Sequence, residues 1–181
     1  SLGAAWYLPD ERHLTTAEQM LDEICAALGG RAAEDVMYGK VSTGALSDLE
    51  KVTKQAYAMV TMYGLSDQVG NISYYDSTGQ GEYSFGKPYS EKTAQVIDEE
   101  VSKIVESQYA RAKRILSENK DKLTALASQL LDKEVIFKED LEKIFGDRPF
   151  QKEDKTPNGN GAQAPSTDIV GETTEEDPAQ A

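Results

Sequence analysis

The side chains in this 181-residue chain that could do chemistry are mostly carboxylates, because the usual nitrogen and sulfur ligands are nearly missing. There is one histidine, His13, and one cysteine, Cys25. A catalytic zinc takes three protein ligands, normally including two histidines or a histidine with a cysteine. This stretch alone cannot complete such a site, nor can it form an internal disulfide. Cys25 lies among Leu21, Ile24 and Leu28 and reads as a buried structural thiol. Among the acids, Asp48 holds the most suggestive position. It belongs to Ser42-Thr43-Gly44-Ala45-Leu46-Ser47-Asp48-Leu49-Glu50, where a glycine-containing turn runs straight into a helical pattern. That pattern is Leu49, Val52, Ala56, Met59, Val60 and Tyr63, at mostly three- and four-residue steps. A carboxylate in a first helical turn is favoured by the helix dipole and the free N–H groups. By local rules Asp48 is a helix-start acid; with partners from elsewhere it is a metal ligand, and both readings stand.

The elements that must position it are helical. Thr15-x-x-Glu18 is a capping box, opening a helix with the stripe Met20, Leu21, Ile24, Cys25 and Leu28. Gly29-Gly30 marks either a break between two helices or a close approach of another backbone, each glycine costing roughly 1 kcal/mol in a helix interior. Arg31 to Tyr38 resumes a short helix ended by Gly39, and the Asp48 helix is expected to run to Gly64. Residues 66–88 show no periodicity, and their Gly79-Gln80-Gly81 lacks the spacing and lysine of a phosphate loop. Ser90 caps a long helix to about Asn119, with Glu99 and Lys103 at the favoured ion-pair spacing. A helix around Leu123–Leu131 is expected to fold back on it, and Lys138 to Phe145 forms a last short helix.

Composition bounds the rest. The net charge of −13 argues against nucleic-acid binding, which needs a basic footprint. No apolar run is long enough to span a bilayer, and the N-terminus does not read as a signal peptide. From Asp147 onward there are eight acids, three bases and almost no large apolar side chains. Such a stretch cannot offset its ordering entropy by burial, so residues 147–181 read as a disordered acidic, proline-rich tail behind a domain over residues 1–146.

Four segments in order resemble the peptidase domain of the FtsH family, membrane-anchored AAA+ zinc metalloproteases. Leu28-Gly29-Gly30-Arg31-Ala32-Ala33-Glu34 is similar to the family's Leu-Gly-Gly-Arg-Ala-Ala-Glu signature. Ser42-Thr43-Gly44-Ala45-x-x-Asp48-Leu49 resembles its Ser-Thr-Gly-Ala-x-x-Asp-Leu/Ile segment, and Met59-Val60-x-x-Tyr63-Gly64-Leu65-Ser66 its Met-Val-x-x-x-Gly-Met/Leu-Ser. Leu2-Gly3 with Leu8-Pro9 fits the family's strand beside the active site.

The resemblance implies a mainly α peptidase-domain fragment with at most a short strand or hairpin. It implies that Asp48 is the third zinc ligand, completing a site whose two histidines and general base come from a His-Glu-x-Gly-His helix. That helix, the ATP- and Mg²⁺-binding AAA+ module and any membrane anchor are absent from this sequence; in the family they precede the matched region. Glu34, on the neighbouring signature helix, would either support the site without binding metal or serve ordinary helix capping and packing. Leu2, Gly3 and Ala4 would form an edge strand that pairs with extended protein substrates. The parent protein is expected to be a homo-hexameric, ATP-dependent endopeptidase degrading unfolded or membrane proteins. It would be membrane-anchored, with this domain on the cytoplasmic side, in a bacterium; the piece in hand would be soluble, inactive and without tightly bound zinc. Two other readings are a non-catalytic helical interaction module with an acidic tail, and a family member whose upstream histidines are replaced.

Overall fold

A computed structural model describes residues 14–75 and 88–147. The expected strand with Leu2, Gly3 and Ala4, the single His13 and the tail beyond Asp147 lie outside those residues.

Helix α1 spans Ala17–Ala27 and α2 spans Gly29–Tyr38. A short 3-10 turn at Thr43–Ala45 leads into α3, Leu46–Thr61. Then come α4 (Glu91–Glu118), α5 (Lys120–Lys133) and α6 (Lys138–Phe145). The described residues contain no strand, in keeping with the mainly α expectation.

The caps explain most of the boundaries. The capping box of α1 uses Thr16 and Gln19, one residue later than the expected Thr15 and Glu18. Both pairs satisfy the same pattern; the later one leaves Glu18 in the first turn, where the dipole favours an acid. Ser90 caps α4 as expected, accepting from the N–H of Thr93. Helix α3 stops at Thr61, three residues before Gly64, because the chain folds back there and the Tyr74 N–H donates to the Thr61 carbonyl at 2.7 Å. Gly64 has φ +63°, and a Cβ on it would lie 3.3 Å from the Asn71 Cα, so this turn needs glycine.

Helices α1, α3 and α4 close one core of Met20, Ile24, Leu28, Val52, Ala56, Met59, Val60, Ile97 and Val101. Its burial, at about 25 cal/mol per Å² of apolar surface, is what holds the three helices together. A smaller cluster of Cys25, Ala32 and Ala112, flanked by Tyr109 and Leu116, joins α1, α2 and α4. Between α1 and α2 the Gly pair marks a break and not a close approach. The chain turns at Leu28, and a Cβ on Gly29 or Gly30 would meet no described atom within 4 Å.

Two expectations for the C-terminal half are corrected. Lys103 pairs with Glu100 at 3.2 Å, while Glu99 accepts from Gln95 instead. Glu100 is the better placed acid because it also accepts from the buried Ser66 hydroxyl at 2.9 Å, holding the loop after α3 onto α4. Helix α5 buries none of its residues and leaves Leu131 84% exposed, so it does not fold back on α4 as a core helix. It packs chiefly on α6, through Asp140, which receives Lys133 at 2.7 Å, Gln129 at 3.1 Å and the Phe137 N–H at 3.3 Å.

Candidate functional site

The segment carrying Asp48 is built from the signature helix beside it. Gly39, in the left-handed conformation at φ +62°, ends α2 and lets the chain reverse toward Ser42. Ser42 has extended backbone, and its hydroxyl accepts from the Gly44 N–H at 3.2 Å, capping the 3-10 turn. Helix α2 then takes hold of the same residue. The Ser42 N–H donates to Glu34 Oε2 at 2.8 Å and the Ser42 hydroxyl donates to Glu34 Oε1 at 2.7 Å. On its other side, Arg31 Nη1 donates to the Ser42 carbonyl at 3.4 Å. Every polar group of Ser42 is therefore engaged, and the turn leading into α3 is fixed against α2.

These contacts set the charge state of Glu34. The Ser42 N–H, then the Ser42 hydroxyl and finally the positive charge of Arg31 hold its carboxyl below the ordinary 4.5. A carboxylate that must stay ionised and immobile fits a supporting part better than that of an acid or base that exchanges protons. Asp48 differs in its surroundings. It is exposed in the first turn of α3, and among the described residues no side chain pairs with it. Its oxygens are open to a ligand, and its backbone is fixed from behind by Ser42 and by the buried Ala45. Beside it Leu46 is 73% exposed, an apolar surface next to an open carboxylate.

No three His, Cys, Asp or Glu side chains gather among the described residues in a way that could hold a metal. Glu34 turns its carboxylate to Ser42, so the two sequence-selected acids belong to one unit without forming a ligand pair. Among the described residues the donor set fits zinc as one carboxylate corner and no more. Micromolar zinc should therefore leave the melting temperature of the 181-residue chain unchanged in a calorimetric scan, since only a ligand that binds the native state stabilises it. Burial raises the pKa of the Cys25 thiol, which makes it a poor metal ligand. A broad concavity of about 880 Å³ runs along α4 between Glu91 and Glu106, and neither Asp48 nor Glu34 lines it.

Ser42 and Arg31 were not singled out from sequence as functional. The only available signal was their place inside the two motifs, since no helical period links position 34 to position 42 across the Gly39 reversal.

Comparison with known proteins matches residues 1–144 to a family model described as peptidase family M41. A zinc metalloprotease FtsH of Parabacteroides distasonis, described as ATP-dependent, is 64% identical over 150 residues, covering 83% of this chain and 22% of the relative. One of the same description from Rhodothermus marinus is 50% identical over 164 residues, covering 90% and 23%. A mitochondrial ATP-dependent zinc metalloprotease of Arabidopsis thaliana is 49% identical over 156 residues, covering 86% and 19%. The chain thus spans about a fifth of the length of these relatives.

Proposed function

Because this chain belongs to peptidase family M41, we propose that it is part of an ATP-dependent zinc endopeptidase, in which Asp48 supplies the carboxylate ligand and Glu34 fixes the turn that carries it. The paired hydrogen bonds from Ser42 to Glu34 carry this reading. They join the two motifs into one unit and leave Asp48 as the carboxylate with open oxygens. When bound, zinc lowers the pKa of its water and polarises the scissile carbonyl. The residues of this chain would orient one ligand and hold the turn that carries it.

The remaining ligands and the general base would come from a His-Glu-x-Gly-His helix outside this sequence, and ATP with Mg²⁺ would act on an AAA+ module of the same protein. Substrates would be unfolded or membrane proteins, held as an extended chain along Leu2, Gly3 and Ala4. The assembly would be a homo-hexamer, anchored in a membrane through segments outside this chain with the peptidase domain on the cytoplasmic side, in a bacterial cell. Among the described helices none is long and apolar enough to cross a membrane. This chain by itself would be inactive.

The test is proteolysis by the longer protein, with and without a zinc chelator; proteolysis that ignores the chelator overturns the proposal. Within that protein Glu34→Gln should weaken zinc binding by about tenfold in chelator competition, the usual scale for a residue supporting a ligand. Acid should act on the same bonds. The pKa of Glu34 is lowered in the folded chain, so its stabilisation is present above the unfolded value and lost as pH falls through the lower folded one. The Ser42 amide chemical shift should therefore titrate below the ordinary glutamate range, and Glu34→Gln should abolish that inflection.

A further inference from the structure

Helix α2 carries two adjacent acids, and Glu34 accounts for only one of them. We infer that Asp35, Tyr109 and Lys113 form a positioning clasp that fixes α2 on α4 and so sets the place of the Ser42 turn and of Asp48, an inference whose functional part rests on Asp48 being the ligand. The Tyr109 hydroxyl donates to Asp35 Oδ2 at 2.9 Å, and Lys113 Nζ stands 3.2 Å from the same oxygen. Lys113 also lies 4.6 Å above the centre of the Tyr109 ring, so the three groups close on one another.

Helix α2 packs closely on α4, and the clasp adds direction to a contact made by small side chains. The one buried residue of α2 is Ala32, packed with Cys25 and Ala112. Methyl groups let two helices approach closely, but they offer few ridges to resist a slide or a turn about the axis. Gly29-Gly30 at its start adds no side chain to lock it. Glu34 and Asp35 are consecutive, so their side chains point about 100° apart around the helix. One reaches the Ser42 turn and the other reaches α4. A rotation of α2 that loosened the second would carry the first away from Ser42. Arg31, one turn earlier, bonds the Ser42 carbonyl, and its charge favours the ionised form of both acids.

The experiment is amide hydrogen exchange on the full 181-residue chain. Tyr109→Phe removes one hydroxyl and keeps the ring under Lys113. It should reduce protection of the Ser42 amide by about tenfold, the lower end of the scale for a hydrogen bond to a charged group. Lys113→Met, which spares the hydroxyl, should have a smaller effect in the same direction. Lys133→Met, which breaks the Asp140 pair between α5 and α6, serves as the control and should leave Ser42 unchanged. Unchanged Ser42 protection in both clasp variants, with only a lower melting temperature, overturns the inference. So does an equal loss of Ser42 protection in the control. In the longer protein, Tyr109→Phe should also weaken zinc binding. If Asp48→Asn leaves zinc binding intact there, the ligand assignment has failed, while the amide result still decides the clasp.

Discussion

Asp48→Asn, made in a longer protein that includes the His-Glu-x-Gly-His helix, is expected to abolish most zinc-dependent proteolysis while leaving the fold intact. The substitution keeps shape and one acceptor oxygen but removes the charge that binds the cation. An amide oxygen is a poor substitute in a site of this class, whose protein ligands are imidazole, thiolate and carboxylate. A loss on the order of 10³-fold in kcat/KM, or about 4 kcal/mol of transition-state stabilisation, is the expected scale. Metal analysis should show substoichiometric zinc. Stability should barely change, because Asp48 is exposed and unpaired among the described residues, and only its favourable place near the helix start is lost. A folded, zinc-poor, inactive protein is the signature of a lost ligand. A folded protein with full zinc and normal rate excludes Asp48 from the site.

Leu28→Ala should produce the opposite pattern. Leu28 is 2% exposed, sits between α1 and α2 and reaches the core with Ile24, Val52 and Ile97. Truncating such a residue removes apolar burial and leaves a cavity, costing about 2–5 kcal/mol. For a domain of this size that lowers the melting temperature by several degrees for each kcal/mol lost, readable in a thermal or urea melt. Loss of Leu28 also loosens the junction from which α2 carries Glu34 toward Ser42. Activity should therefore fall with rising temperature before it falls in the cold, whereas Asp48→Asn should be inactive at every temperature. A melting temperature within a degree of the wild type would mean that Leu28 does not anchor this junction.

What is legible in the chain and what is not divide along the range of the interactions involved. The stripes Met20–Leu28 and Val52–Val60 and the cap at Ser90 depend on residues three or four apart, and they were legible. The first capping box was displaced by one residue because two threonines compete for it, and chain chemistry alone does not choose between them. Lys103 pairs with Glu100 and not with Glu99 because Ser66, far off in sequence, holds Glu100 in place. The same holds at the site. Asp48 announced itself through its motif and helix start. The Glu34 grip on Ser42 crosses a left-handed glycine, and the Tyr109 grip on Asp35 crosses more than seventy residues, so neither leaves a periodic trace. Helix α5 misled for a further reason. Its leucines have the spacing of a core face, yet within the described residues Leu130 and Leu131 face outward.

The most direct measurement is anomalous diffraction at the zinc edge on crystals of the longer protein. The expected peak lies about 2.0–2.2 Å from a carboxylate oxygen of Asp48, with two histidine nitrogens at about 2.0–2.1 Å, and with Glu34 still bonded to Ser42. A peak coordinated by Glu34, with Asp48 turned away to solvent, would contradict the assignment of both acids.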